Sequence, residues 1–173
     1  CHERGVRVFL TLNTLLRDRE LPQAVHRMFG LSLEKEKSYV MGLSMGGFGA
    51  LHTALQFPEC FSKVMALSSA LIIHELPEMK PETGNAMANY AYYRSTFGDL
   101  KTAPTRDCNP EVLADGLIAQ GEAIPAIFMA CGTEDFLYAQ NTRLRDHMRA
   151  LGLNLTYEES PGIHAWEYWD QKI

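Results

Sequence analysis

The sequence has no excess of basic residues, since its 173 residues carry a formal net charge of -5 and 21% charged side chains. Without a basic patch, binding to nucleic acid or to an anionic membrane is disfavoured. The four cysteines, Cys1, Cys60, Cys108 and Cys131, are widely spaced and form no C-x-x-C pair. We therefore expect neither a zinc site nor a disulfide framework, and we predict buried free thiols.

Long apolar runs are also absent. None approaches the length of a membrane span, and no secretion signal is visible in a chain that begins at Cys1, so we expect a cytoplasmic location. Internal repeats and low-complexity segments are missing as well. What the chain does have is 46% hydrophobic residues, which is enough to bury the core of a single domain over residues 1–173.

Short apolar runs alternate with helical patterns along most of the chain. Strands are predicted around Tyr39-Val40 and at 63–68, 124–131 and 153–158, and helices at 19–29, 45–57, 137–151 and 165–173. This alternation predicts an α/β fold with a mainly parallel sheet. Between Val6 and Leu16 the pattern fits either a strand or a helix, and we favour the helix. Residues 69–123 lose sheet character and carry several aromatic side chains, so we expect an insertion that covers a pocket.

A G-x-S-x-G pattern centred on Ser44 lies where the strand at Tyr39-Val40 turns into the next helix. This context is typical of a nucleophile elbow, in which a strained turn exposes the serine hydroxyl. We expect Gly42 and Gly46 to let the strand and the helix approach each other. The alternative is a glycine-rich turn with an incidental serine.

A serine nucleophile needs a base, and the base needs a carboxylate. Asp135 and His164 supply them, each just after a predicted strand, and parallel strands end at the same edge of a sheet. The order Ser44, Asp135, His164 is that of elbow-type hydrolases. Glu134 is the alternative candidate for the acid; we prefer Asp135, and Glu134 is then an ordinary solvated loop residue. The remaining histidines lie in helical runs, at the start of the chain or in the insertion: His2, His26, His52, His74 and His147.

From about residue 20 onward, the chain resembles the esterase D and tributyrin-esterase group of α/β-hydrolases, which includes feruloyl and acetyl-xylan esterases and S-formylglutathione hydrolases. The motifs that carry the resemblance are GLSMGG at 42–47, FGD at 97–99, CGTEDFL at 131–137 and GIHAW at 162–166. The resemblance implies catalysis by Ser44, Asp135 and His164, with the Met45 backbone N–H as a first oxyanion donor. It also implies hydrolysis of short-chain acetyl, butyryl or feruloyl esters without a metal or an organic cofactor.

Two departures from this group qualify the resemblance. Ile163 stands where the group commonly has a second glycine before the histidine. In addition, too little chain precedes Ser44 for the first strands of the fold, so we expect an amino-terminally shortened hydrolase. The alternatives are an impaired fragment with an interaction role, or a serine peptidase of the prolyl-oligopeptidase type. Without the first strands of the fold, the strand that precedes Ser44 would be an exposed edge of the sheet. We expect a second copy or a missing amino-terminal segment to pair with it.

Overall fold

The computed structural model of the protein describes residues 21–30, 32–82, 84–85 and 87–173. The prediction for Val6 to Leu16 lies outside these ranges. The four strands of the described part are β1 (Tyr39–Leu43), β2 (Lys63–Leu67), β3 (Ala126–Gly132) and β4 (Leu155–Ser160). Its helices are α1 (Leu21–Phe29), α2 (Met45–Gln56), α3 (Tyr90–Phe97), α4 (Pro110–Gln120), α5 (Tyr138–Ala150) and α6 (Trp166–Trp169).

The four strands form one sheet in the order β1-β2-β3-β4, and all neighbours are parallel. This confirms the predicted parallel α/β fold. Because the register pairs Leu43 with Leu67 and Leu67 with Ala130, the carboxyl ends of the strands lie side by side. Residues that follow β1, β3 and β4 are therefore brought to one edge of the sheet.

Among the described strands, β1 pairs only with β2, so it forms one border of this sheet. Its outward backbone groups could pair with another strand, as edge strands do. Pairing with a second copy or with an amino-terminal segment stays a prediction.

Side chains of the sheet alternate between two cores, as the pleat of a strand requires. Val64 and Ile127 point into the main core, where α2, α4 and α5 pack. Leu67 and Ala130 point to the opposite face and contact Trp169 of α6. The smaller core therefore lies at the same end of the sheet as the serine turn.

Several helix ends follow the signals in the sequence. Gly30 closes α1 and Gly152 follows α5, with φ of 65° and 71°, a conformation that glycine adopts without strain. Helix α4 was not predicted from the sequence, although Asn109 caps its first turn and Pro110 opens it. The predicted terminal helix is wrong in length, since α6 has four residues and the chain continues in turns. No helix in the described part of the chain is long and apolar enough to cross a membrane.

Candidate active site

Ser44 lies in the turn between β1 and α2, with φ of 55° and ψ of -120°. A positive φ costs a residue other than glycine on the order of 1–3 kcal/mol, so surrounding contacts must hold it. The Ser44 N–H donates to Leu67 O at 2.9 Å, while Ser44 O accepts from the Ala70 N–H at 2.9 Å and the Phe48 N–H at 3.1 Å. The strained strand-to-helix turn predicted from the sequence is confirmed.

Glycine is required on one side of this turn. A Cβ on Gly42 would lie 2.1 Å from Gly46 O, a backbone atom that cannot move aside. A Cβ on Gly46 would meet nothing within 4 Å. The prediction that both glycines permit the close approach is confirmed for Gly42 and wrong for Gly46, whose backbone is the surface that Gly42 contacts.

We expect Gly42→Ala to lower the free energy of unfolding by about 3 kcal/mol or more, because overpacking against backbone cannot relax. For a chain of this length, the fall in Tm is roughly 6–12 °C. Gly116→Ala in α4 is the matched control, since its Cβ would come no closer than 3.8 Å, to the flexible Gln120 side chain. That change should stabilise the helix by about 0.5–1 kcal/mol. Thermal unfolding checks both, and an unchanged Tm for Gly42→Ala would contradict the steric argument.

His164 follows β4, and its Nε2 lies 2.9 Å from Ser44 Oγ. Its Nδ1 lies 2.9 Å from Oδ2 and 3.1 Å from Oδ1 of Asp135. Because a carboxylate accepts but does not donate, Nδ1 carries the proton, and Nε2 of the neutral ring can accept a proton from the serine hydroxyl. The structure thus brings together the three side chains named from the sequence, in contacts that a general base requires.

The turn after β3 fixes Asp135. Its side chain is 0% exposed, and Oδ1 also accepts the Leu137 N–H at 2.9 Å. The Asp135 N–H donates to Gly132 O at 3.1 Å. Because both the backbone and the side chain of Asp135 are hydrogen-bonded, the carboxylate is held in one orientation, in which it faces the imidazole.

Two aromatic rings contact the imidazole of His164. The Phe136 ring centroid lies 4.7 Å away, and the Trp169 ring lies 4.9 Å away at an interplanar angle of 88°. The buried Trp169 Nε1–H donates to Ser68 Oγ at 3.0 Å, and Ser68 itself has a φ of 43°. The contact between Trp169 and His164 was not predicted from the sequence, where the only signal for it is the spacing of Trp166 and Trp169.

Glu134 is an exposed loop residue, as expected from the sequence, but it also bonds to the loop that carries His164. Its carboxylate accepts the Gly162 N–H and, at 2.9 Å, the Thr133 hydroxyl, while the Glu134 N–H donates to Gly162 O at 3.1 Å. The Gly162 N–H, followed by the Thr133 hydroxyl, holds the pKa of Glu134 below its usual range. Glu134 therefore ties the turn after β3 to the loop that carries His164.

Other reactive groups in the described part of the chain do not join this cluster. Burial lowers the pKa of His52, whose Nε2 lies 3.0 Å from a backbone carbonyl. Burial, aided by the nearby Asp135, raises the pKa of the Cys131 thiol to about 12, which keeps it protonated at neutral pH. Cys60 and Cys108 are half-buried, so among the three described cysteines the prediction of a buried thiol is right for Cys131 alone, and Cys1 lies outside the described residues. Within the described ranges of the chain, no group of three His, Cys, Asp or Glu residues is arranged to hold a metal ion.

An apolar cleft opens beside the serine turn, between α2 and α3. Met45 and Phe48 line it from α2, and Tyr92, Tyr93 and Phe97 line it from the segment between β2 and β3. Since Met45 directly follows Ser44, the cleft begins next to the serine. The aromatic residues predicted to lie over a pocket contribute three of these side chains, while Tyr90 is not among them.

A parallel sheet with a strained serine after β1, an acid after β3 and a histidine after β4 is the arrangement of an α/β-hydrolase. The model of the Esterase family matches residues 12–173, and the chain belongs to that family. The resemblance identified from the sequence motifs is confirmed.

The relatives place the chain within this family. An acetyl esterase of Caldicellulosiruptor saccharolyticus is 38% identical over 154 residues, which are 89% of this chain and 58% of that protein. The S-formylglutathione hydrolase structure from Staphylococcus aureus is 29% identical, with a TM-score of 0.75, covering 88% of this chain and 57% of that one. A substrate-bound structure of a fluorophosphonate-binding serine hydrolase from the same organism is also 29% identical, with a TM-score of 0.76. The match covers 88% of this chain and 57% of that one. The chain thus spans somewhat more than half the length of each relative.

Proposed function

We propose that the protein hydrolyses carboxylic esters through an acyl-serine intermediate. The observation that carries the proposal is the series of contacts from Ser44 Oγ through His164 to Asp135, in which every distance is 3.1 Å or less. Membership of the Esterase family and similarity to an acetyl esterase and to a serine hydrolase support it.

In the first half of the reaction, His164 Nε2 takes the proton of the Ser44 hydroxyl as Oγ bonds to the ester carbonyl carbon. The resulting oxyanion faces the amino end of α2, where the Met45 N–H is the first donor. The first amides of a helix have no acceptor within the helix, and the helix dipole favours negative charge at that end. His164 then protonates the leaving alkoxide as the carbon–oxygen bond breaks, and the acyl group remains on Ser44.

Water completes the reaction by the same steps. It gives a proton to Nε2, attacks the acyl carbon, and the carboxylic acid leaves as the proton returns to Ser44 Oγ. Buried Asp135 holds the imidazole in the required tautomer and stabilises the imidazolium that forms in each half.

The acyl group is assigned to the cleft between α2 and α3. Its lining is apolar, with Met45 and Phe48 on one side and Tyr92, Tyr93 and Phe97 on the other, as is usual for pockets that bind small molecules. Each methylene buried there contributes about 0.8 kcal/mol, a factor of roughly four in kcat/KM. Of the short acyl groups implied by the resemblance, butyryl should therefore be preferred to acetyl.

The test combines a covalent probe with a substrate series. A fluorophosphonate should modify the protein once, with the added mass on the peptide that contains Ser44. In parallel, kcat/KM for nitrophenyl acetate, butyrate and octanoate and for a feruloyl ester should rise from acetyl to butyryl. Labelling elsewhere, or no turnover of any ester, would overturn the proposal; a preference for acetyl would overturn only the acyl assignment.

Replacing Glu134 tests the link to the histidine loop. We expect Glu134→Ala to lower kcat/KM by about tenfold with little change in KM, which is within the hundredfold that an ångström of misplacement can cost. Glu134→Gln keeps an acceptor for the Gly162 N–H and should restore most of the loss at neutral pH.

The pH dependence follows from the lowered pKa of Glu134. A carboxyl whose folded-state pKa is depressed stabilises the loop above its unfolded pKa, and that stabilisation is lost as pH falls through the folded value. The loss of this stabilisation, and of the activity that depends on it, should therefore begin below pH 4.5, the ordinary pKa of this carboxyl group. Glu134→Gln should abolish the loss. Exposed Glu122, in the loop before β3, provides the control Glu122→Ala. A pH–kcat/KM profile that is identical in all these variants would contradict the assignment.

A further inference from the structure

Three large apolar side chains beside His164 are exposed. Phe136 is 57% exposed, Ile163 is 61% exposed and Trp166 is 60% exposed. We call these three residues the histidine-side shelf. Single exposed apolar residues are common on protein surfaces, whereas several around one functional group indicate a binding surface.

Phe136 contacts the imidazole directly, whereas Ile163 is its neighbour in the chain and Trp166 is linked to it through Trp169. The Phe136 ring lies 4.7 Å from that of His164, and Ile163 directly precedes it in the chain. The Trp166 ring lies 5.5 Å from Trp169, which in turn lies 4.9 Å from His164. The neighbours of Phe136, Asp135 and Leu137, are buried, so the exposed ring stands out from an otherwise closed turn.

The direction of proton transfer determines which half of an ester meets the shelf. This step rests on the proposed function. Nε2 lies 2.9 Å from Ser44 Oγ and must also reach the leaving oxygen, within about 2.6–3.2 Å. The first carbons of the alcohol therefore lie against the imidazole, on the side of His164. The acyl cleft is lined from α2 and α3 and contains no shelf residue, so the two halves of the substrate diverge at Ser44.

The chemistry of the shelf determines the kind of alcohol. All three side chains present hydrocarbon, and two are aromatic. The two carboxylates that precede Phe136 in the chain are already engaged: Asp135 by His164 and the Leu137 N–H, and Glu134 by the Gly162 N–H and the Thr133 hydroxyl. A polyhydroxylated alcohol would lose hydration here without gaining these partners. We propose that the histidine-side shelf binds the alcohol half of the ester and selects arylalkyl or other apolar alcohols.

Two esters with the same acyl group isolate this effect. Benzyl butyrate and ethyl butyrate give the same acyl-serine and have alkoxide leaving groups, so the ratio of their kcat/KM values reports on the alcohol alone. We expect the unaltered protein to favour the benzyl ester by at least about tenfold, since the ring can bury the area of two or more methylenes against the shelf and each contributes a factor of roughly four. Phe136→Ala and Trp166→Ala should each lower this ratio by about three- to tenfold, and any loss common to both esters cancels.

The matched control is Ile118→Ala, because Ile118 is an exposed apolar side chain on α4, 43% exposed. It should leave both esters and their ratio unchanged. A ratio near one in the unaltered protein, a ratio unaffected by either shelf variant, or a preference for glycerol or sugar esters would overturn the proposal. If nitrophenyl butyrate is hydrolysed but neither alkyl ester is, only the shelf proposal fails, whereas no turnover of any of these esters would overturn the proposed function itself.

A second measurement uses the reverse of acylation. An alcohol that enters on the shelf attacks the acyl carbon, gives its proton to Nε2, and breaks the bond to Ser44 as the proton returns to Oγ. With nitrophenyl butyrate as donor, benzyl alcohol should therefore compete with water better than ethanol does, giving benzyl butyrate. The benzyl-to-ethyl product ratio should fall in Phe136→Ala by the same three- to tenfold, and an unchanged product ratio would overturn the assignment.

Discussion

Ser44→Ala is expected to lower kcat for ester hydrolysis on the order of a millionfold, to the level that binding and oxyanion stabilisation alone supply. The hydroxyl is the only group at hydrogen-bond distance from His164 Nε2 in the described structure, so its removal leaves the base with nothing to activate except water. Fluorophosphonate labelling should disappear with the same change.

His164→Ala should cost about as much as Ser44→Ala, and the double variant little more, because the two side chains act as one unit. Ser62→Ala is the control, since that hydroxyl precedes β2 at the opposite end of the sheet. Single-turnover kinetics with nitrophenyl butyrate measures these differences. Additive losses in the double variant, or turnover retained by Ser44→Ala, would show that another residue carries the acyl group.

The convergence of the three side chains could be predicted from the sequence because it depends on local patterns and one topological rule. Apolar runs mark the strands, and parallel strands end at a common edge. It was therefore enough to identify polar residues directly after the strands, as with Ser44, Asp135 and His164. The exact bounds mattered little: β4 begins at Leu155 rather than Leu153, yet His164 still reaches the serine.

Contacts between loops could not be predicted in this way. Two such hydrogen bonds join residues far apart in the sequence: Trp169 to Ser68, and Gly162 to Glu134. No local sequence pattern around these residues indicates which partner each one will contact. The exposure of Phe136 likewise depends on how the turn after β3 directs one side chain outward between two buried ones. These features arise from tertiary packing, which overrides what propensity and periodicity indicate.

The positive φ of Ser68 illustrates the same limit. A hydrophobic run predicts β2, but it does not predict that the residue after the strand adopts a φ of 43°. The structure supplies the compensation: the Ser68 N–H donates to Ala130 O at 2.8 Å, and the hydroxyl accepts the Trp169 indole N–H at 3.0 Å. Because Trp169 also packs on His164, the strained turn after β2 is linked to the histidine by one side chain, while the strained turn after β1 carries Ser44 itself.

The choice between Asp135 and Glu134 is decided by a pair of matched variants. Asp135→Asn is expected to lower kcat by about 10⁴-fold, the loss typical of an imidazole held in the wrong tautomer. Oδ1 of residue 135 accepts the Leu137 N–H at 2.9 Å, so the amide oxygen of asparagine would keep that place and its NH₂ would turn towards His164 Nδ1. Nδ1 would then have to accept, the ring proton would move to Nε2, and Nε2 could no longer take the proton of Ser44.

Glu134→Gln makes the same change of carboxylate to amide one residue away and should cost no more than a few-fold at neutral pH, because the amide oxygen can still accept the Gly162 N–H. Measurement of kcat for both variants on one ester, with circular dichroism to show that each is folded, separates a tautomer effect from a positioning effect. A larger loss in Glu134→Gln would move the acid from Asp135 to Glu134, and equal losses would contradict the tautomer argument. The geometry argues against that outcome, since Asp135 is fully buried against the imidazole while the Glu134 carboxylate is bonded to the Gly162 backbone.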